Sequence, residues 1–331
     1  MSTKLTGQFY NLANQIEQIT MVYLYAARFD AAFRLLNDQV LDLIKAENHL
    51  AEWMKLQHQR ARILRYQGYC EYNPARYDEA LSILKEVLHV AETLGDEALL
   101  ADTLDLTGAV LQSKEGSLDT SFETRLAYFQ RALAIRIEIQ DQRGMAESHF
   151  HLGLVYQNQR PAAEDNQQQA LVAFKKAYHL AAEGDFAFER AHAARHLAYI
   201  HDKRQEPEQA YQLHQEFLTT NQTISFKPYL APAHTMMGLA NFRCGNLVAA
   251  EQHLQSAYAI ADQISSDHFR ADAAMMLGVV SGAQGEHESA KEYFDEALAL
   301  AEPLNLSRVM HVAQRELEKL STQETSPPNP T

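Results

Sequence analysis

A chain of 331 residues with 46% hydrophobic and 22% charged residues is too apolar to stay unfolded, and its 13 Gly and 9 Pro are too few for an all-β fold. Its 29 basic and 43 acidic residues give a formal net charge of -14, which repels a phosphate backbone and argues against nucleic acid as a partner. Helix is the expectation throughout, and no stretch approaches the length of apolar chain that a membrane span needs.

The opening MSTKLTGQFYNLANQ lacks the uninterrupted apolar core of a signal peptide, so a cytoplasmic chain with reduced Cys70 and Cys244 is expected. Residues 4–46 read as a weak first helix pair, with Leu12, Ile16, Met21, Leu24 and Phe29 as its apolar positions. Better-marked units start near His49, Asp96, Arg143, Phe186, Lys227 and Asp267. Each reads as two amphipathic helices, because apolar residues recur three and four positions apart. A marker position falls at Ala32, Ala80, Arg125, Ala170, Ala210, Ala250 and Ala290, and its spacing settles to 40 over the last four. Extra length falls in QSKEGSLDTSFET and NQRPAAEDNQQQ, polar stretches where a repeat array tolerates insertion.

The repetition is plainest late in the chain, where residues 236–262 and 276–302 align without a gap. Gly238 then lies over Gly278, Gly245 over Gly285, Ala250 over Ala290 and Ala257 over Ala297. Small residues at such positions let two helix backbones come close. After the last pair, SRVMHVAQRELEKL at 307–320 reads as a helix that caps the array, and 322–331, with no apolar content to bury, as a disordered tail. Residues 1–321 thus read as a single array of about seven helix pairs.

HLGLVYQNQ with ALVAFKKAYHLA places Leu152, Gly153, Tyr156, Ala170, Phe174 and Ala177 in a pattern that resembles tetratricopeptide repeats. Gly238 with Ala250, Leu254 and Ala257, and Leu277 and Gly278 with Ala290, Phe294 and Ala297, match it as well. The departures are a period near 40, Gln67 and Thr107 in place of the Leu, and Arg125 in place of an Ala. The longer period is similar to repeats of kinesin light chains, bacterial peptide-sensing regulators and the sensor arms of large transcriptional activators. The resemblance implies an all-α fold, a right-handed α-solenoid superhelix of helix pairs with a C-terminal capping helix.

It also implies that the first helix of each pair faces a concave groove. Counted on that pattern, the inward positions are Arg62, Arg65, Tyr69 and Asn73 in one unit, and Asp105 and Gln112 in the next. Glu147, Phe150, Gln157 and Asn158 follow, then His192, Arg195, Tyr199 and Lys203, and finally Arg243. Amides can pair with a peptide backbone and arginines can take carboxylates in a forked geometry, so this lining suits an extended peptide. The implied function is a non-catalytic interaction module that binds a peptide, tail or helix of a partner protein in the groove. One alternative is a peptide-sensing regulator that changes curvature on binding, and another is an enzyme or enzyme subunit that uses the groove as a pocket. The terminal repeats could also stack on a second copy of the chain.

HAARH sets His192 and His196 one turn apart, near Glu189 and His201, but lacks the Glu of H-E-x-x-H and any nearby Cys. No metal is assigned to them. The sequence holds no P-loop, nucleophile elbow or dinucleotide-binding glycine cluster after a strand, so no catalytic residue and no cofactor is expected.

Overall fold

The computed structural model describes residues 3–114, 121–159 and 164–325, and among them the secondary structure is helical with no strand. The first four helices are α1 (Thr3–Tyr25), α2 (Phe29–Leu35), α3 (Asp38–Ala46) and α4 (Leu50–Glu71). Next come α5 (Pro74–Leu94), α6 (Glu97–Ser113), α7 (Phe122–Glu138), α8 (Gln142–Gln157), α9 (Glu164–Glu183) and α10 (Ala187–Lys203). The series ends with α11 (Pro207–Thr223), α12 (Lys227–Arg243), α13 (Leu247–Gln263), α14 (Asp267–Gln284), α15 (His287–Ala301) and α16 (Ser307–Thr325). None of these helices is long and apolar enough to cross a membrane.

The N-terminal segment holds three helices where the sequence suggests one pair. The break falls at Asn37, whose side chain accepts a hydrogen bond from Val40 N at 3.1 Å and so caps α3. At the other end, α16 runs past residue 320 to Thr325. The rest of the expected tail, 326–331, lies outside the described residues, as do 115–120 and 160–163 within the two insertions.

Helix ends follow a shorter period than the pairs do. Asp185, Gln205, Ser225, Gly245, Ser265, Gly285 and Asn305 all have positive φ, one every twenty residues. Each turn leaves the helix through the left-handed region, and the next amide often reaches back five residues, as in Phe186 N→Ala181 O at 2.8 Å and Leu306 N→Ala301 O at 3.1 Å. That closure satisfies carbonyls that would otherwise end the helix unpaired. A forty-residue unit is therefore two equal halves.

Packing explains the small residues. The marker alanines Ala32, Ala80, Ala170, Ala210, Ala250 and Ala290 are all buried. A Cβ added to Gly153 would lie 2.5 Å from the Phe174 ring, so α8 and α9 approach too closely there for any side chain larger than hydrogen. Arg125 is buried at the marker position of α7, where the other units have Ala.

The chain divides into two compact units where the sequence suggests one array over 1–321. The first is Met1–Tyr69, Asn73–Ile200 and Ile224–Phe226; the second is Cys70–Tyr72, His201–Thr223 and Lys227–Thr331. In the first, α5 packs on α6, α6 on α7, α7 on α8 and α8 on α9. In the second, α11 to α16 pack each on the next, and the first helices α12, α14 and α16 also touch in turn. Contacts between neighbours in the series are what stabilise a repeat protein.

Candidate functional site

A cavity of about 730 Å³ lies within the first unit. Its walls are α1 and the first helices of four successive pairs, α4, α6, α8 and α10. Rings form one part of the lining. Phe226, 1% exposed, meets Tyr25, Tyr66 and Phe188 edge-on at centroid distances of 5.1, 5.3 and 5.0 Å. Charges form another part, among apolar side chains such as Ala13, Leu24 and Leu99. Lys55 pairs with Glu17 at 2.6 Å, and Arg143 with Glu189 at 2.7 Å.

Two lining groups remain unsatisfied. Arg62 makes no hydrogen bond or ion pair with any described residue; its electrostatic influence reaches His58 and Glu147. Glu189 gives Oε1 to Arg143 while its Oε2, buried, has no hydrogen-bond partner among the described residues. Among the described residues the cavity wall thus holds one cation without a partner and one buried carboxylate oxygen without a donor.

Behind the cavity wall Arg136, at the end of α7, is 1% exposed. Its Nη1 donates to Gly144 O at 2.9 Å and Ser148 Oγ at 2.7 Å, and lies 3.0 Å from Asp105 Oδ1. Its Nη2 donates to Asp102 at 2.8 Å and Glu147 at 3.0 Å. Gly144 makes the room, since a Cβ there would stand 2.5 Å from Arg136 Nε. Asp105 also accepts from Ser148 Oγ at 2.9 Å and from His151 Nδ1 at 2.5 Å. Burial pushes the Asp105 carboxyl up, but His151 and Arg136 outweigh it and hold it down at about 2. For Arg136, burial favours the neutral form and the surrounding carboxylates more than reverse it.

Asp105, Glu147 and His151 bring ligand atoms within 4.8 Å of one another, a set of the kind that holds a cation. The Arg136 guanidinium already sits on both carboxylates and supplies the positive charge, so the donor set does not fit a metal. Asp105 stands between Ser148 and His151, so the hydroxyl donates to the carboxylate rather than to the imidazole.

Of the residues expected to face a groove, Arg62, Arg65 and Glu147 line the cavity. Asp105, Gln112, Phe150 and His192 are buried, which corrects their reading as exposed contacts: these positions pack into neighbouring helices. Phe150 lies 5.2 Å from the His192 ring and 5.9 Å from Phe174, and His196 stacks on Phe174 at 5.1 Å. Burial lowers the pKa of both His192 and His196, so the HAARH pair belongs to an aromatic core. Asn73 caps α5 by accepting from Ala75 N at 3.1 Å, and Gln157 bonds His196 at 3.1 Å. Asn158 ends α8 as its C-cap. Tyr69 and Arg195 are half-buried, Tyr199 and Lys203 are exposed, and Arg243 pairs with Asp202 at 2.7 Å in the second unit.

The sequence reading missed Lys55, Arg143, Glu189 and the rings of Tyr10, Tyr25 and Phe226. Most of these come from α1 or from the ends of helices, which the repeat pattern does not mark. Arg136 had a signal. Aligned on the marker, its position is Ala91, Ala181, Ala261 and Ala301 in other units, all 0% exposed. An arginine in that slot has to be buried and paired.

Residues 229–302 match the family model described as tetratricopeptide repeat. No curated protein matches the chain by sequence. Among solved structures the chain is similar to BtubC (BKLC) from P. vanneervenii, at 17% identity over 77% of this chain and 95% of that one, with a TM-score of 0.55. It is also similar to a Rap protein complexed with competence and sporulation factor, at 12% identity over 96% and 98% of the two chains, with a TM-score of 0.57. A signal transduction ATPase with numerous domains and a tetratricopeptide repeat sensor, from Pyrococcus horikoshii, gives 13% identity over 98% of this chain and 53% of that one, with a TM-score of 0.56. At such identities the likeness shows the fold.

The class is that of all-α repeat solenoids, built of stacked helix pairs. Residues 229–302 carry tetratricopeptide repeats, here of long period, and the similar solved structures extend the likeness of fold over the rest of the chain.

Proposed function

We propose that the protein is a non-catalytic binding module that takes a peptide, tail or helix of a partner protein in the cavity of its first unit. The observation that carries this reading is the pair of unsatisfied groups in one cavity, Arg62 and Glu189 Oε2, beside a wall of aromatic rings. A peptide supplies what each lacks. Arg62 takes a carboxylate in a forked geometry, Glu189 Oε2 takes an amide or ammonium N–H, and the rings cover apolar side chains. A volume of about 730 Å³ suits a segment of a few residues better than a whole folded surface. Among the similar folds, the Rap protein is complexed with competence and sporulation factor, an occupied example of a related fold.

The test is selection from a displayed random-peptide library on the full chain, followed by calorimetry of the selected peptides. Wild type is compared with Arg62→Glu and Glu189→Gln, with circular dichroism as the check on folding. The reading expects at least about tenfold weaker binding in Arg62→Glu, the loss of one charge-assisted contact. Selected peptides that bind all three chains alike, or a library that yields none, would overturn it.

A further inference from the structure

We propose that His234 and His253, in the second unit, form a binding site for a divalent transition-metal ion of the zinc, nickel and copper class. Each imidazole would give Nδ1 to the ion.

His234 stands on α12 and His253 on α13, the two helices of one pair. Their Nδ1 atoms are 3.2 Å apart, and the ring centroids 5.4 Å. Two nitrogens bound to one tetrahedral zinc at about 2.0–2.1 Å stand roughly 3.3–3.4 Å apart, so the observed spacing needs only a small ring adjustment to receive an ion. Imidazole nitrogen is a ligand that zinc, nickel and copper share, which sets the class.

The helices hold this spacing firmly. One turn beyond His234, Gly238 lets α13 approach so closely that an added Cβ would lie 2.6 Å from Leu254 and 3.2 Å from Ala250 O. Leu254 follows His253 directly, so the backbone contact and the ring contact share one stretch of the interface. Both rings are half-buried, and the open side leaves the remaining coordination positions to water.

The repeat itself does not require histidine there. Forty residues on, the same two positions are Ala274 and Tyr293, and forty residues back they are Ala194 and Leu213. The fold is built at those places without a titratable pair. Without metal, one Nδ1–H donates to the other Nδ1. On binding, that proton moves to Nε2 of the same ring and none is released.

The experiment is titration of the untagged full chain with nickel chloride by calorimetry, beside His234→Gln and His253→Gln. Thermal melting is recorded with and without 100 μM metal, and the copper form is read by electron paramagnetic resonance. Wild type is expected to bind one equivalent at least about tenfold more tightly than either variant, and to melt higher with metal where the variants do not. Copper should show two nitrogen ligands in wild type and one in each variant. Equal binding by all three chains, or no binding by wild type at 100 μM, would overturn the proposal, and circular dichroism confirms that the variants are folded.

Discussion

Arg136 Nη1 lies 3.0 Å from Asp105 Oδ1, and both side chains are 1% exposed. One helix thus places a full positive charge in a slot that four other units fill with alanine, and α6 and α8 on either side answer with carboxylates. Removing one member leaves the others as uncompensated buried charge, which costs about 3–5 kcal/mol. Arg136→Met is therefore expected to lower stability by about that much in urea unfolding. The double variant Arg136→Met with Asp105→Asn should recover part of the loss, since it removes charge from both sides. Equal stability of wild type and Arg136→Met would show that the network is not a structural one.

Acid should weaken the fold over two separate pH windows. Burial, then the Arg62 charge, lower His58 to about 4, against an ordinary value of 6.5. The folded state binds that proton less readily than the unfolded chain does, so its contribution is complete above pH 6.5 and is lost as pH falls towards 4. The full shift is worth about 3 kcal/mol. His149, His192, His196, His234 and His253 are lowered as well and steepen the same slope. Asp105 acts in a separate window, its contribution present above pH 3.8 and lost towards about 2. Urea midpoints between pH 7 and 4 should fall steeply for wild type and less steeply for His58→Gln. Parallel slopes for the two chains would count against the assignment.

Gly153 faces Phe174 so closely that an added methyl would stand 2.5 Å from the ring. Gly153→Ala is expected to cost about 1–3 kcal/mol by overpacking. Phe174→Leu in the same chain should offset part of it, and a double-mutant cycle over the four chains measures the coupling. Additive losses would mean that the ring is not what the methyl meets.

Such contacts were legible because repetition exposes them: Gly153, Gly238 and Gly278 recur at one position, and each faces the large apolar residue of the following helix. Positive φ at Asp185, Gln205, Ser225, Ser265 and Asn305 was not, because only two of the seven turns carry the glycine that announces it. The cavity was least legible. Helix α1 is not a repeat, so nothing in the period places Tyr10, Glu17 or Tyr25 against α4. Counting positions along one helix also cannot tell a groove from an interface, which is why Asp105 and Phe150 read as exposed and proved buried.

Arg62 and Phe226 both line the cavity, yet they should respond in opposite ways. Phe226 is 1% exposed and packs against three rings, so Phe226→Ala removes a wall and is expected to cost about 3–5 kcal/mol. Arg62 holds no partner that its loss would strand, so Arg62→Ala should leave stability within about 0.5 kcal/mol of wild type. Its absence should nevertheless be felt next door. Arg62 is the second cause, after burial, of the low His58 pKa, and without it the His58 titration followed by NMR should move up. A stable Arg62→Ala chain with raised His58 titration and lost peptide binding would mark Arg62 as a residue kept for a ligand. A clear loss of stability in Arg62→Ala would instead make it part of the scaffold and remove the main support for binding in this cavity.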